Sequence, residues 1–573
     1  MRLLVEQTQR MREEVRALDA LVAELSMLDS IQWGMTPDHD VRVHFDFTVK
    51  DKVYAAELVY PALFPEAPAY VRPRNQDEAW STHRYPATGT LCLEWGPDNW
   101  VPSVTGADLV RSTILLLVYE KLGTLVGIQA PSRHDLTLGQ RMRGEVTRFL
   151  ATSELTAAIT ASPRTTIPLV TATTGRLATL VTLPTKVGED TDPLLAGLPP
   201  EIGSPDMTWI RNGWVVKVDE WASLPNPCCT PAAARDFLKT KGAWPWPDDD
   251  DRVWFLLLVN AQGDLRPIAF SAGESPHAYD YVVLEAKSDQ RARQPERHAV
   301  LGQKRVAIVG CGSLGSKVAL SLARSGVTRF TLVDDDVLMP GNLVRHQLDW
   351  RSVGHGKAEA LKAAMLLVCP DAEIQSKAFR FAGQESASLN TAVLEQVAAC
   401  DLVIDATANP RVFSSIAAIC TRRKVACAWG EVFAGGIGAL MARSLPGHDA
   451  DPLTVRAAIH DYLAQQPEAP FKRAQGYEAE EDGEVLVAGD AEVSQLAASM
   501  TQFIVDGLCG APYRFPVPAY LIGFQQAWIF EAPFDTHQIG CPAPANAEPT
   551  AQELGIDIEA LKEVMSKFQA APA

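Results

Sequence analysis

The chain has 573 residues, with 52 Lys and Arg against 70 Asp and Glu, for a net charge of -18. That length exceeds one ordinary domain, and an apolar content of 47% can fill several cores, which excludes bulk disorder. The acidic balance argues against a non-specific nucleic-acid surface, because such binding is built on phosphate neutralisation, and no nucleic-acid partner is expected.

Ten cysteines without a CxxC pair form neither a disulfide scaffold nor a zinc knuckle, and adjacent Cys228 and Cys229 are awkward joint ligands. The charged start MRLLVEQTQRMREEV lacks the apolar core of a signal peptide. Runs such as TILLLVYE fall short of the roughly 20 residues a membrane helix needs. A cytoplasmic location with no membrane contact is the expectation.

In chain order, residues 3–28 place Leu4, Met11, Val15, Leu18, Val22 and Leu25 at helical spacing and predict one amphipathic helix. VRVHFDFTV alternates as a strand, and KVYAAELVYP and AYVRP continue a meander. The prolines between Pro61 and Pro68 keep that stretch out of a central strand. Thr105 or Ser103 can cap a helix through ADLVRSTILLLVYEKL, and more helix is expected near 138–152. Residues 1–158 thus read as an α+β domain.

Residues 159–296 offer TIPLVTA, LATLVTLP, WVVKV, RVWFLLLV and YVVLEA as strands, with a short helix among them. They read as an accessory α/β domain with no assigned chemistry, and the four tryptophans from Trp209 to Trp244 read as core. Residues 297–573 alternate strand and helix from RVAIVG through DLVIDATAN, the pattern of a doubly wound parallel sheet.

Gly310, Gly312 and Gly315 form GCGSLG between a strand and a helix. Such a turn brings backbone close to phosphate and presents free N–H groups of a helix start. Asp334 ends the next strand, where a carboxylate can accept ribose hydroxyls.

VDDDVLMPGNLVRHQL resembles the DxDxxxxxNLxRQ segment of the ubiquitin-activating (E1), ThiF and MoeB adenylyltransferases. That resemblance covers about residues 297–440 and implies ATP and Mg2+ as cofactors. It implies nucleotide-binding roles for Asp334, Asp336, Asn342, Arg345 and Lys357, and for Arg297 in RHAVL, which in the family is supplied by the partner subunit of a homodimer. Independently, attack on an α-phosphate needs positive groups for the charge on the transferring unit and the leaving pyrophosphate, which Arg345 and Lys357 can supply. The family's DCTDN appears here as DATAN, so Ala408 replaces a metal-holding Asp and leaves Mg2+ to the candidate ligand Asp405, to Asp336 or mainly to the phosphates.

Tyr60, Pro61, Phe64, Pro65 and Pro68, followed by Gly89, Leu91, Cys92, Leu93, Trp100 and Pro102, resemble the YPxxFPxxPP and GxICL…WxP patterns of ubiquitin-conjugating (E2) domains. The resemblance implies an acyl carrier at Cys92, read as a reachable loop thiol, since a thiolate is nucleophilic at modest pKa. The family's HPN element is replaced by STHRYP, where His83 either positions the loop or assists proton transfer from the incoming amine. A second thiol is expected to take the acyl group first. Cys541 is favoured because it lies in a polar stretch near His537; Cys509 and direct transfer from the adenylate to Cys92 are the alternatives, and Cys311 reads as filler.

The order E2-like, accessory, E1-like resembles the E2–E1 fusions of bacterial anti-phage (CBASS) systems. That implies as substrate the C-terminal tail of a cGAS/DncV-like nucleotidyltransferase, and as acceptor an amine-bearing target. Another bacterial ubiquitin-like pathway, a sulfur-carrier adenylyltransferase and a non-catalytic scaffold are the alternatives.

Overall fold

The computed structural model describes residues 2–75, 78, 80–81, 83–85, 88–122, 147–176, 179–188, 209–219, 221, 231–245, 255–270, 278–286, 294–469, 472–473, 478–481, 484–542 and 557–569. It divides into two compact units, residues 1–146 and 147–573.

In the first unit, the predicted helix over 3–28 is two helices, α1 (Arg2–Glu6) and α2 (Thr8–Glu24), and it stops short of 28. Gln7, at φ -120 and ψ 35, interrupts the helical backbone. Met11, Glu14, Leu18 and Leu21 are the buried stripe, with alternating spacings of three and four. Leu4 and Val15 fall off it and are exposed.

The surprise on the stripe is Glu14. Its carboxylate accepts the Tyr60 hydroxyl at 2.8 Å, the Gly106 N–H at 2.6 Å and Arg10 Nε at 3.0 Å. Burial pushes its pKa up, and these donors pull against that rise. Glu14 therefore ties α2 to the start of α3 (Gly106–Leu122). Thr105 caps α3, its N–H and hydroxyl both meeting Asp108 Oδ2 at 2.8 Å. A side chain at 106 would stand 2.0 Å from the Tyr60 hydroxyl, so only glycine fits there.

Strands β1 (Leu28–Met35), β2 (Val41–Val49), β3 (Lys52–Tyr60) and β4 (Tyr70–Pro73) form the expected antiparallel meander. Phe45, Phe47, Tyr54 and Leu58 face the helices and fill the core with Leu18, Leu109 and Leu117.

The second unit opens with a correction. Residues 147–152, expected as helix, are strand β5 (Thr147–Thr152), which pairs in parallel with β7 (Thr179–Val187) and β12 (Val282–Ala286). Partners distant in sequence decide that segment, and a local pattern carries no sign of them. The expected helix over 138–146 lies outside the described residues, as do Cys228 and Cys229.

With β6 (Thr166–Arg176), β8 (Trp209–Lys217), β9 (Phe255–Val259), β10 (Leu265–Phe270) and β11 (Ala278–Asp280), these strands form a sheet in the order β11-β10-β9-β8-β6-β7-β5-β12. Only Tyr281 separates β11 from β12, so the two ends of the sheet are adjoining pieces of chain. Phe255 and Leu257 face a core with helix Ser153–Ala161, and Leu256 and Leu258 face one with helix Pro231–Thr240. Trp214, Trp221 and Trp244 pack on the second core as expected, while Trp209 is 61% exposed.

The remaining sheet runs β15 (Glu373–Lys377), β14 (Arg329–Val333), β13 (Arg305–Val309), β16 (Leu402–Asp405), β17 (Ala426–Phe433), β18 (Gly438–Ser444), β22 (Ala519–Gly523) and β23 (Thr536–Ile539). The first five strands are parallel and the last three antiparallel, so the expected doubly wound sheet continues as a mixed one. A separate small sheet holds β19 (Lys472–Arg473), β20 (Glu478–Glu481) and β21 (Glu484–Val487).

Val306 and Ile308 pack beneath helices Ser313–Ser325, Lys357–Leu366 and Asp490–Cys509; Ala307 and Val309 pack beneath Ala387–Ala398, Pro410–Arg423 and Pro452–Ala464. Strand order reverses at β13, with β14 on one side and β16 on the other. The crevice outside the carboxyl ends of β13 and β16 is where such sheets take ligands. No helix among the described residues is long and apolar enough to cross a membrane.

Candidate nucleotide site and candidate thiols

GCGSLG occupies that crevice. Gly310 has φ +90, and a Cβ there would press on Thr407 Cγ2 at 2.9 Å and Ala406 C at 3.0 Å. A Cβ at 315 would sit 1.9 Å from the Gly310 carbonyl oxygen. Both glycines are thus required by the turn itself. A Cβ at 312 meets nothing within 4 Å, so Gly312 borders open space at the head of helix Ser313–Ser325.

Asp334 closes the turn from β14, accepting the Cys311 N–H at 2.7 Å on Oδ2 and the Asp336 N–H at 2.8 Å on Oδ1. Burial raises its pKa, partly offset by those two N–H groups. Lys357 begins its helix, donates its backbone N–H to Asp336 O at 2.9 Å, and places its ammonium on Asp336 Oδ2. That contact, more than burial opposes it, holds the Asp336 carboxyl below its usual range.

Asn342 is spent locally, its Oδ1 accepting the Met339 N–H at 2.9 Å. Arg345 donates to Ala488 O at 3.2 Å, just before helix Asp490–Cys509. Asp405 is buried at the end of β16, where its Oδ1 accepts the Thr407 N–H at 2.9 Å and hydroxyl at 2.6 Å. Burial raises its pKa, with Thr407 pulling it back.

Sequence reasoning missed His346. It follows Arg345, where the NLxRQ pattern has Gln, and its Nε2–H meets Cys311 O at 2.8 Å while Nδ1 accepts the Leu348 N–H at 3.1 Å. Those partners fix a neutral tautomer, and burial holds its pKa down. His346 thereby braces the turn from behind. Cys311 is fully buried, in keeping with a filler role.

Arg297 lies elsewhere. Its guanidinium pairs with Asp506 at 3.1 Å, near Cys509 and at the far end of helix Asp490–Cys509 from Arg345. Asp506 also accepts from buried Arg443 at 3.3 Å and from the Arg514 and Phe515 N–H groups. Within one chain the structure therefore does not bring Arg297 to the glycine-rich turn.

Residues 290–474 match the family model described as "ThiF family". This stretch is a ThiF-family domain. The chain is 38% identical over 131 residues to the "ATP-dependent ubiquitin transferase-like protein Cap2" of Enterobacter hormaechei, covering 23% of this chain and 21% of that protein. It is 35% identical over 124 residues to Cap2 of Vibrio cholerae, covering 21% and 20%. The chain thus spans about a fifth of the length of these relatives. It is also 32% identical over 180 residues to the tRNA threonylcarbamoyladenosine dehydratase of Haemophilus influenzae, covering 31% and 61%. Among solved structures, E. coli MccB with ATP is similar at 17% identity, covering 44% and 69% with a TM-score of 0.32.

Beyond the matched stretch, Cys541 is partly buried just past β23, the last strand of the same sheet. Burial, then Asp449 and Asp451, raise its pKa, so its thiolate is scarce at neutral pH. His537 is engaged by the Tyr462 hydroxyl at 2.6 Å on Nδ1 and faces Asp535 at 3.5 Å on Nε2. The charges acting on the Cys541 thiol are thus carboxylates. Asp451→Asn keeps the cap of helix Pro452–Ala464, where Oδ1 accepts the Leu453 and Thr454 N–H groups, and removes one of those charges. Alkylation of Cys541 at fixed pH and low salt is expected to rise about twofold, and 1 M salt to erase the difference. Cys509 ends its helix against the domain core, as a packing residue would.

In the first unit, the motif residues lock together. Trp100 Nε1 donates to Pro65 O at 2.6 Å, and Phe64 sits edge-on to Tyr60 and tilted to Trp100. Cys92 lies in a loop as expected but is 5% exposed, and burial raises its pKa. Its N–H donates to His83 O at 2.8 Å, while the His83 N–H reaches Ser81 Oγ at 2.8 Å and Ser81 donates to Glu120 at 2.5 Å.

Proposed function

We propose that the ThiF domain adenylates a protein C-terminal carboxylate and that the acyl group passes through Cys541 to Cys92, an E2-like carrier, and then to an amine. The observation that carries this reading is the open space over Gly312, bordered by an Asp334-closed turn and flanked by Lys357. The seat fits a nucleotide: Asp334 would take ribose hydroxyls, the N–H groups at the helix head would meet phosphate, and Lys357 would exchange Asp336 for phosphate oxygen.

Among the described residues no three His, Cys, Asp or Glu side chains converge as a metal site. Mg2+ commonly rests on one or two carboxylates, waters and substrate phosphates, and Asp405 is the carboxylate that would fit here. A mainly apolar cavity of about 180 Å³ beside β17, β18 and β22, lined by Phe433, Leu440, Leu521 and Trp528 with Glu431 among them, would seat the tail.

In the reaction, the carboxylate oxygen attacks the α-phosphorus and pyrophosphate leaves with its electron pair. A thiolate then displaces AMP from the acyl carbon. Thiol exchange delivers the acyl group to Cys92, and an amine nitrogen finally replaces sulfur. Similarity to Cap2 proteins supports a cGAS/DncV-like nucleotidyltransferase as the tail donor and bacterial anti-phage defence as the setting. A homodimer would let Arg297 of one copy serve the other once it leaves Asp506.

The test is ATP–pyrophosphate exchange with a full-length nucleotidyltransferase of this class, intact or lacking its last residue. Exchange with the intact protein alone, plus thiol-sensitive adducts on Cys541 and Cys92, is the expected result. No exchange with any tail sinks the activating reading; exchange without cysteine adducts assigns the sulfur-carrier type instead.

A further inference from the structure

Arg84 and Leu91 form an antiparallel bridge. The flanking bonds, Cys92 N–H to His83 O and Tyr85 N–H to Thr90 O, both at 2.8 Å, set the register. His83 therefore stands opposite Cys92, and Tyr85 opposite Thr90. Opposed and diagonal residues of such a pair share one face, and a diagonal neighbour is within reach of an aromatic side chain. His83, Tyr85, Thr90 and Cys92 thus share a face.

Tyr85 uses that position. Its hydroxyl lies near enough to the Cys92 thiol to favour the thiolate, the one influence that lowers the Cys92 pKa against burial. Its backbone is clamped, since its carbonyl accepts the Gly89 N–H at 2.9 Å and the Thr88 N–H at 3.2 Å. Gly89 has φ +69, which suits glycine in so tight a loop. Tyr85 is 46% exposed while Cys92 is 5% exposed, so the thiol is covered and the tyrosine meets solvent.

We infer that Tyr85 is the hydrogen-bond donor that stabilises sulfur anion at Cys92, both before acylation and when the acyl group departs. The inference rests on the reading of Cys92 as a carrier. In the departing step the amine nitrogen bonds to the acyl carbon, the C–S bond breaks, and its electron pair stays on Sγ. The nitrogen's surplus proton goes to solvent, and Tyr85 keeps its own while donating to the sulfur. Burial, Cys92 and Asp98 all raise the Tyr85 pKa, so the phenol remains a donor through neutral and mildly alkaline pH. The Asn absent from the STHRYP segment would have offered an amide near this loop; Tyr85 offers a hydroxyl on the face that carries the thiol.

The experiment uses the full chain and needs no tail donor for its first arm. Alkylation of Cys92 by iodoacetamide is followed against pH by peptide mass spectrometry in wild type, Tyr85→Phe and Tyr85→Leu. Losing one hydrogen bond to an anion is expected to cut the Tyr85→Phe rate at pH 8 about 3- to 10-fold and move its profile to higher pH. A Tyr85→Phe profile that overlays wild type, with only Tyr85→Leu affected, makes the ring mere packing and overturns the inference. Thermal melts matched between wild type and Tyr85→Phe separate the loss of the hydroxyl from misfolding. The second arm measures discharge of a preformed Cys92 thioester to free lysine, which should slow by a similar factor in Tyr85→Phe. A shifted profile in a protein whose wild type never carries a thioester leaves the hydrogen bond standing and sinks the carrier reading. Thioester formation with unchanged profile and discharge in Tyr85→Phe does the reverse.

Discussion

Gly315→Ala is expected to destabilise the ThiF domain by about 3 kcal/mol or more, the upper end for overpacking, and to abolish ATP binding. The new methyl carbon would fall 1.9 Å from the Gly310 carbonyl oxygen, which belongs to backbone and has no rotamer to escape into. Gly310 has little room to retreat, since a Cβ built on it would fall 2.9 Å from Thr407 Cγ2 and 3.0 Å from Ala406 C. Gly312→Ala is the informative contrast. Its methyl meets nothing within 4 Å and its φ of -76 suits any residue. Stability should stay within about 0.5 kcal/mol of wild type. ATP affinity should fall about tenfold or more, because the methyl enters the space where phosphate would approach the backbone. Thermal melting and calorimetric titration of ATP read the two effects separately. Gly312→Ala binding ATP as tightly as wild type would remove the nucleotide from this turn.

Asp506→Ala should cost about 3–5 kcal/mol, because it strands a buried charge. Arg443 is 1% exposed and lies over the Phe503 ring at 4.2 Å, with Phe503 O at 2.9 Å and Phe515 O at 3.0 Å as its other anchors. Asp449 is 3.9 Å from Arg443 Nε, beyond hydrogen-bond distance, so it is a poor substitute for the Asp506 contact at 3.3 Å. Two backbone N–H groups, of Arg514 and Phe515, lose their acceptor as well. The loss should appear as a lower urea midpoint for the unit containing the ThiF domain. The double variant Asp506→Leu with Arg443→Met, which removes both charges, should recover much of it. Arg297→Ala should cost less, since that side chain is 26% exposed and can be solvated when unpaired. A double variant no better than Asp506→Ala would show that backbone acceptance, and not charge balance, is what Asp506 supplies.

Much of the site was legible in local sequence, for a physical reason. The glycine-rich turn, the acids ending β14 and the lysine opening its helix are joined by short chain, so spacing fixes their meeting. The same holds for the meander and for the frame of Tyr60, Phe64, Pro65 and Trp100 around Cys92. Illegible were the partners brought by distant chain. Glu14 meets Gly106 across 92 positions, Arg297 meets Asp506 across 209, and β5 becomes a strand only beside β7 and β12. His346 was within reach of sequence reasoning, as the residue departing from Gln in NLxRQ, but its task of holding Cys311 O depends on the folded turn.

The sequence by itself determined the sheet class of residues 305–429, the glycine-rich turn and the aromatic frame of the first unit, because those follow from periodicity, glycine conformation and motif spacing. Tertiary structure alone decided the electrostatic state of each group. Burial leaves Cys92 and Cys541 with raised pKa values, helped at Cys541 by neighbouring carboxylates, while Lys357 holds Asp336 and Asp506 holds Arg297. A charge's free energy depends on everything within a few ångströms in space, and a linear sequence does not state that distance.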